Sequence, residues 1–224
     1  MSRAEPDPPP PEPAALVEGT ALEGLEVLGR LGEGRRSLVY GARWHGREAA
    51  LKVYKPRAIA RHARRHGLPL AEFEFRQNER YHRAPGLAPF VAEPLVRVVG
   101  PRGQAFLQER LEGQLYYFYY RERGARVPSG IFPQIERIVD LAHRAGLYDV
   151  DLHAMNVMVV TGESGEPVPR LFDFNMIPFH AREGNPIGML LRMGLLDRHW
   201  RDRRKLRRFH DFELVERKLL EYYE

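Results

Sequence analysis

The chain contains no cysteine. A disulfide framework and a thiolate metal site are both excluded, and the composition suits a reducing cytosol. No hydrophobic run approaches the ~18 residues that a bilayer-spanning helix needs. The N-terminus lacks the apolar core of a secretory leader. A soluble, cytoplasmic protein is the expectation. Lysine is scarce: Lys52, Lys55, Lys205 and Lys218 are the only lysines among 35 basic residues. So strong an arginine bias reflects base composition, and most arginines then need no functional explanation. The nine histidines show no metal-ligand spacing, so no zinc site is expected. There is no internal repeat.

What is present is enough for a sizeable core: 224 residues, of which 43% are hydrophobic. The net charge of +5 suits an anionic partner such as a nucleotide, a lipid head group or nucleic acid, without a firm nucleic-acid signal. Pro6–Pro13 holds six of the 18 prolines, and residues 1–18 read as a disordered proline-rich tail or a proline-recognition ligand. Short strands broken by glycine follow from Leu25 to Tyr54, the pattern of a three-stranded antiparallel meander. An arginine-rich connection (Arg57–Leu68) leads to a helix from Leu70 to about Arg83, stopped by Pro85 and Gly86. Strands are expected at Ala92–Val99 and Gln104–Arg110. Ile131–Ala145 has helical spacing, Val157–Val160 and Arg170–Phe174 read as strands, and the last forty residues read as helices. Strands with one helix first and helices afterwards make an α+β pattern.

Four short features carry chemistry. The first is Gly32-x-Gly34-x-x-Ser37-x-Val39, whose glycines let backbone N–H groups approach phosphate oxygens; a plain turn would use the same residues. The second is Lys52 in the apolar run Ala49–Val53. An inward ammonium calls for a phosphate or carboxylate partner, whereas an edge lysine would snorkel to water. Glu72, Glu74 and Glu79 on the next helix are the available carboxylates, and Glu79, near the helix middle, is preferred. The third feature is Asp151-Leu152-His153-Ala154-Met155-Asn156, leading directly into a strand. One carboxylate there can take a hydroxyl proton and one amide oxygen can bind a hard cation; a structural loop cap is the other reading. The fourth is Asp173 in Leu171-Phe172-Asp173-Phe174-Asn175, at the end of an apolar strand, as a Mg²⁺ ligand or an Asx turn.

In this order the features resemble the protein-kinase-like superfamily, with its glycine loop, strand lysine, helix glutamate, Asp-x-x-x-x-Asn loop and Asp-Phe-Gly turn, across roughly residues 25–179. The resemblance implies a bilobal fold with a small strand-rich N-lobe (about 19–110) and a reduced helical C-lobe (about 111–224). It implies ATP and Mg²⁺ as cofactors. Amides around Gly32, Gly34 and Ser37, with Val39, would cover the nucleotide. Lys52 would hold the α- and β-phosphates and pair with Glu79. Gln108–Leu111 would be the hinge, Glu109 and Leu111 meeting adenine through their backbone. Asp151 would be the base, and Asn156 and Asp173 would hold the metal. Ser37 stands in place of the third glycine, Asp149 in place of the histidine before the base, Asn175 in place of the last glycine, and His153 where protein kinases carry lysine. No Ala-Pro-Glu follows. The pattern is similar to small bacterial kinases of the lipopolysaccharide or sugar-kinase type, which implies a sugar, glycolipid or other small acceptor. An atypical protein kinase and a non-catalytic nucleotide-binding regulator are the alternatives.

Two further stretches are ambiguous in the sequence. Arg198–Arg208 has seven basic residues in eleven and reads as a solvated helix face or a contact with a phosphorylated glycan or the anionic inner face of the cell membrane. Tyr116–Tyr120 reads as core and lobe-packing surface, with ligand stacking as the alternative.

Overall fold

The computed structural model of the chain describes residues 11–17, 20–123, 131–174, 186, 189–190 and 193–222. The fold is α+β, and the chain divides into two compact units, Met1–Glu79 with Glu93–Arg110, and Arg80–Ala92 with Leu111–Glu224. Among the described residues no helix is long and apolar enough to cross a membrane.

The first unit is built on an antiparallel sheet of β1 (Glu26–Glu33), β2 (Ser37–Trp44), β3 (Arg47–Tyr54), β4 (Pro94–Gly100) and β5 (Gly103–Glu109), in the order β1-β2-β3-β5-β4. Side chains alternate between its faces, because successive Cβ atoms of a strand point to opposite sides. Ala49, Leu51 and Val53 of β3 share one face with Ala105 and Leu107 of β5 and join a buried cluster with Leu16, Leu22, Ala42 and Val98. The other face carries Lys52, Tyr54, Gln104 and Phe106, and there α3 (Leu70–Arg83) packs: Phe75 meets Phe106 edge-on at 6.1 Å, and Gln104 Oε1 accepts the Ala71 N–H at 3.0 Å.

Two sequence expectations change in this unit. Within the stretch read as an extended tail, Pro13–Val17 forms a helix, α1, that buries Leu16 in the cluster just named. Proline is compatible with the first turn of a helix, where its missing N–H would have no partner anyway. Residues 1–10 and 18 lie outside the described residues. The arginine-rich connection is α2 (Pro56–His66), with Pro56 in its first turn and Gly67 closing it in the left-handed region at φ 64°. Its inward side is marked by His62, which lies against Phe73 at 5.2 Å and His66 at 4.7 Å.

His62 gives this unit a pH dependence. Its ring is buried and Nε2 has no hydrogen-bond partner among the described residues. Burial first, then the charges of His66 and Arg36, push its pKa down to about 4. The unfolded chain takes up this proton near its ordinary value of ~6.5, so stability falls as the pH drops from there toward about 4. Urea titrations across that interval are expected to show the loss, and His62→Phe to flatten it.

The second unit carries a smaller sheet, β6 (Gly113–Leu115), β7 (Val157–Thr161) and β8 (Pro167–Leu171), in that order. A Cβ at Gly113 would lie 2.2 Å from the Val159 carbonyl oxygen, so only glycine allows β6 this close to β7. β8 starts and ends three residues earlier than the sequence pattern suggests. Pro167 and Pro169 hid its start, yet β8 is an edge strand, where proline is tolerated. Helices α4 (Tyr116–Glu122), α5 (Ile131–Arg144) and α6 (Trp200–Tyr222) belong to the same unit. Tyr116, Tyr119 and Tyr120 are buried in its core beside Ile131, Ile135, Ile138 and Phe209, which gives the aromatic run its core role.

Candidate active site

In the first unit the strand register places Gly32 opposite Val39, Val39 opposite Lys52 and Lys52 opposite Phe106. One cross-strand row therefore links the glycine hairpin to the strand lysine. The hairpin is closed by the Gly34 N–H donating to the Ser37 carbonyl at 2.8 Å. The fold itself does not require glycine at position 32. A Cβ there would meet nothing within 4 Å, and Gly32 is not among the residues of positive φ.

Lys52 is 7% exposed, and its Nζ donates to Glu74 Oε1 at 2.6 Å. Tyr54, two residues along the same face, donates its hydroxyl to Glu74 Oε2, also at 2.6 Å. The helix carboxylate is thus Glu74, not Glu79. Each of the three candidate glutamates lies on α3, and the way this helix lies on the sheet selects the one above Lys52 and Tyr54. Glu72 instead bonds Arg76 and Arg97. Burial alone would push the Glu74 carboxyl up; the Lys52 ammonium and the Tyr54 hydroxyl more than offset this and hold it below the ordinary carboxylate range. Its contribution to stability is present above that range and is lost only as the pH falls through its depressed pKa. Glu74→Gln is expected to cost about 1–3 kcal/mol by denaturant unfolding, and Glu79→Gln less than half as much.

At the stretch expected to be the hinge, Glu109 ends β5 and donates its N–H to the Glu93 carbonyl at 2.8 Å. Gln108 beside it is buried, and its Oε1 has no partner among the described residues. Leu111 begins the segment of the second unit that enters β6.

In the second unit, α5 closes at Gly146 and the chain enters a loop in which Asp149 (φ 62°) and Asp151 (φ 33°) both have positive φ. Non-glycine residues hold that conformation only where their surroundings impose it. Here α6 imposes it. Asp202, 1% exposed, accepts the N–H groups of Asp149 at 2.7 Å and Val150 at 2.9 Å, and its Oδ2 also meets His143 Nε2 at 2.9 Å. Arg201 and Lys205 bond the buried Asp149 carboxylate at 3.1 and 3.2 Å, and Lys205 reaches Asp151 Oδ1 at 3.0 Å.

Asn156 closes the loop: its N–H donates to the His153 carbonyl at 2.8 Å and its Nδ2 to the Asp151 carbonyl at 3.1 Å. That bond turns the amide oxygen away from Asp151 and leaves it as an acceptor. Asp173 lies two residues beyond the end of β8, in a loop rather than on the strand. Anchors hold it on both sides. The Leu171 carbonyl accepts the Ala92 N–H at 2.9 Å, and Phe174 stacks on Tyr81 with centroids 4.1 Å apart. Burial, and then the charges of Asp202, Asp149 and Asp151, push the Tyr81 hydroxyl upward. Asn175 lies outside the described residues.

Among the described residues no group of three or more His, Cys, Asp or Glu side chains could hold a metal ion. Asp173 carries a carboxylate and Asn156 an amide oxygen, each an oxygen donor of the type that Mg²⁺ accepts. The residues that sequence reasoning missed are Tyr54, Tyr81, Arg201, Asp202 and Lys205. A signal existed for the last group: Asp202, Lys205, Phe209 and Glu213 recur at helical spacing along one stripe of an otherwise arginine-dominated segment.

No protein-family model matches the chain, and no curated protein matches it either.

Proposed function

We propose that the chain is an ATP- and Mg²⁺-dependent phosphotransferase of the bilobal protein-kinase-like type, with a hydroxyl of a sugar, glycolipid or other small molecule as acceptor. The observation that carries this reading is the row Gly32–Val39–Lys52 with its buried Lys52–Glu74 pair. An ammonium buried on a strand and oriented by a carboxylate is a ready-made partner for polyphosphate. A glycine that the fold does not require keeps the neighbouring backbone open to it.

In this reading the chemistry is divided among these residues by role. Lys52, held by Glu74, binds the α- and β-phosphates, and the hairpin amides cover them. Asn156 and Asp173 would hold Mg²⁺, which when bound would neutralise charge on the phosphate oxygens. The acceptor oxygen forms a bond to the γ-phosphorus as the bond from that phosphorus to the β,γ-bridging oxygen breaks, and ADP leaves with the electron pair. Asp151 takes the hydroxyl proton and later releases it to water. Positioning and charge complementarity do most of the work. The protein acts in the cytoplasm, and a glycolipid acceptor would bring it to the inner face of the membrane.

The test is ADP release from MgATP across a panel of sugars, glycolipids and peptides, comparing the wild type with Asp173→Ala. Turnover that needs Mg²⁺ and is lost in the variant supports the reading. Equal rates in both proteins, or none with any acceptor, overturn it.

A further inference from the structure

Helix α6 supplies a cation to the loop that carries the proposed base. Asp151 is 35% exposed in its side chain, and a carboxylate in that setting has freedom to swing. Its Oδ1 is bonded by Lys205 Nζ at 3.0 Å, while its Oδ2 has no hydrogen-bond partner among the described residues. The same ammonium bonds Asp149 Oδ1 at 3.2 Å, and Asp149 is in turn fixed by Arg201 and by its backbone bond to Asp202. Lys205 is thus tied to the rigid side of the loop with one N–H and to Asp151 with another. His153 does not compete for this role, because its Nδ1 accepts the Met155 N–H at 3.1 Å and holds the turn toward Asn156.

We infer that Lys205 is the positioning residue of the phosphotransfer reaction: it anchors Oδ1 of Asp151 and so presents Oδ2 to the acceptor hydroxyl. The inference rests on the reading of Asp151 as the base. A lysine at the second turn of a C-terminal helix, remote in sequence from the loop it serves, then does what no residue of the loop itself does. A misplacement of about 1 Å of a reacting group costs on the order of 10²-fold in rate, which sets the scale of the expected effect.

The experiment measures ADP release from MgATP, with water as acceptor where no hydroxyl compound is added, for wild type, Asp151→Ala, Lys205→Met and Lys205→Arg. The expected result is a fall in kcat of about 10- to 100-fold for Lys205→Met, with KM for ATP within about twofold, and partial recovery with Arg. Because Lys205→Met also takes a partner from buried Asp149, the comparison is repeated as Asp149→Asn against Asp149→Asn/Lys205→Met. A loss of kcat that persists in this background supports the inference. A loss that disappears there shows that Lys205 serves Asp149 alone and overturns it, as does loss of fold in both backgrounds. Wild-type kcat in Lys205→Met, with Asp151→Ala inactive, overturns the inference and leaves the phosphotransferase reading standing. A wild type without turnover removes both.

Discussion

Asp151→Asn is expected to lower kcat for MgATP turnover by about 10²–10⁴-fold while ATP affinity changes by less than about threefold. The substitution is nearly isosteric. Asparagine keeps an oxygen that can accept from Lys205, so the strained backbone at φ 33° and the bond from Asn156 to the residue 151 carbonyl are preserved. What changes is the second oxygen, which becomes an NH₂ group and can no longer take a proton. Lys52, Glu74 and the glycine hairpin, the proposed nucleotide-binding residues, belong to other elements and are untouched. Steady-state kinetics with calorimetric ATP binding separates the two effects. Unchanged kcat would remove Asp151 from the chemistry, and a collapse of ATP affinity would move it to the binding machinery. Asp173→Asn should behave differently, weakening the Mg²⁺ dependence of nucleotide binding along with the rate.

How much of this was legible in the sequence depends on whether a feature is local. α3 runs from Leu70 to Arg83, where its helical spacing and the stops at Pro85 and Gly86 put it. Lys52 was legible as a buried cation because a single charge interrupted an apolar strand. Its partner was not, since choosing between Glu74 and Glu79 requires knowing how a helix lies across a sheet, which is a tertiary fact. Composition also misled. The prolines around Pro13 concealed a short helix, those of β8 concealed where a strand begins, and the arginine density of residues 57–66 concealed α2. The largest omission was the role of α6, whose helical character was expected. In a chain so rich in arginine, seven basic residues in eleven look like solvent-facing charge. Yet Arg201 and Lys205 meet the buried Asp149, and Asp202 is among the most deeply buried carboxylates described. The loop from Asp149 to Asn156 was readable from its own residues, whereas the part of the helix that holds it was readable only as a polar stripe.

That helix carries the largest expected effect on stability. Asp202→Ala removes the acceptor of two buried backbone N–H groups, those of Asp149 and Val150, and the partner of His143. Each buried N–H left without a partner costs about 1–3 kcal/mol, and truncating one member of a buried charged network falls in the range of about 3–5 kcal/mol. For a chain of this size, each kcal/mol lowers Tm by roughly 2–4 °C, so a fall of about 6–20 °C is expected by calorimetry. Asp202→Asn should fall between the variant and the wild type. Its single oxygen can still serve one of the backbone donors, but its NH₂ group then confronts the other. Because the site is buried, added salt should change these differences little. The loop that loses its acceptor also carries Asp151 at a strained φ, so residual folded Asp202→Ala should show a lowered kcat beyond what its folded fraction explains. A Tm within about 2 °C of the wild type would mean that the loop holds its conformation without α6, and the account of how Asp151 is presented would fail with it.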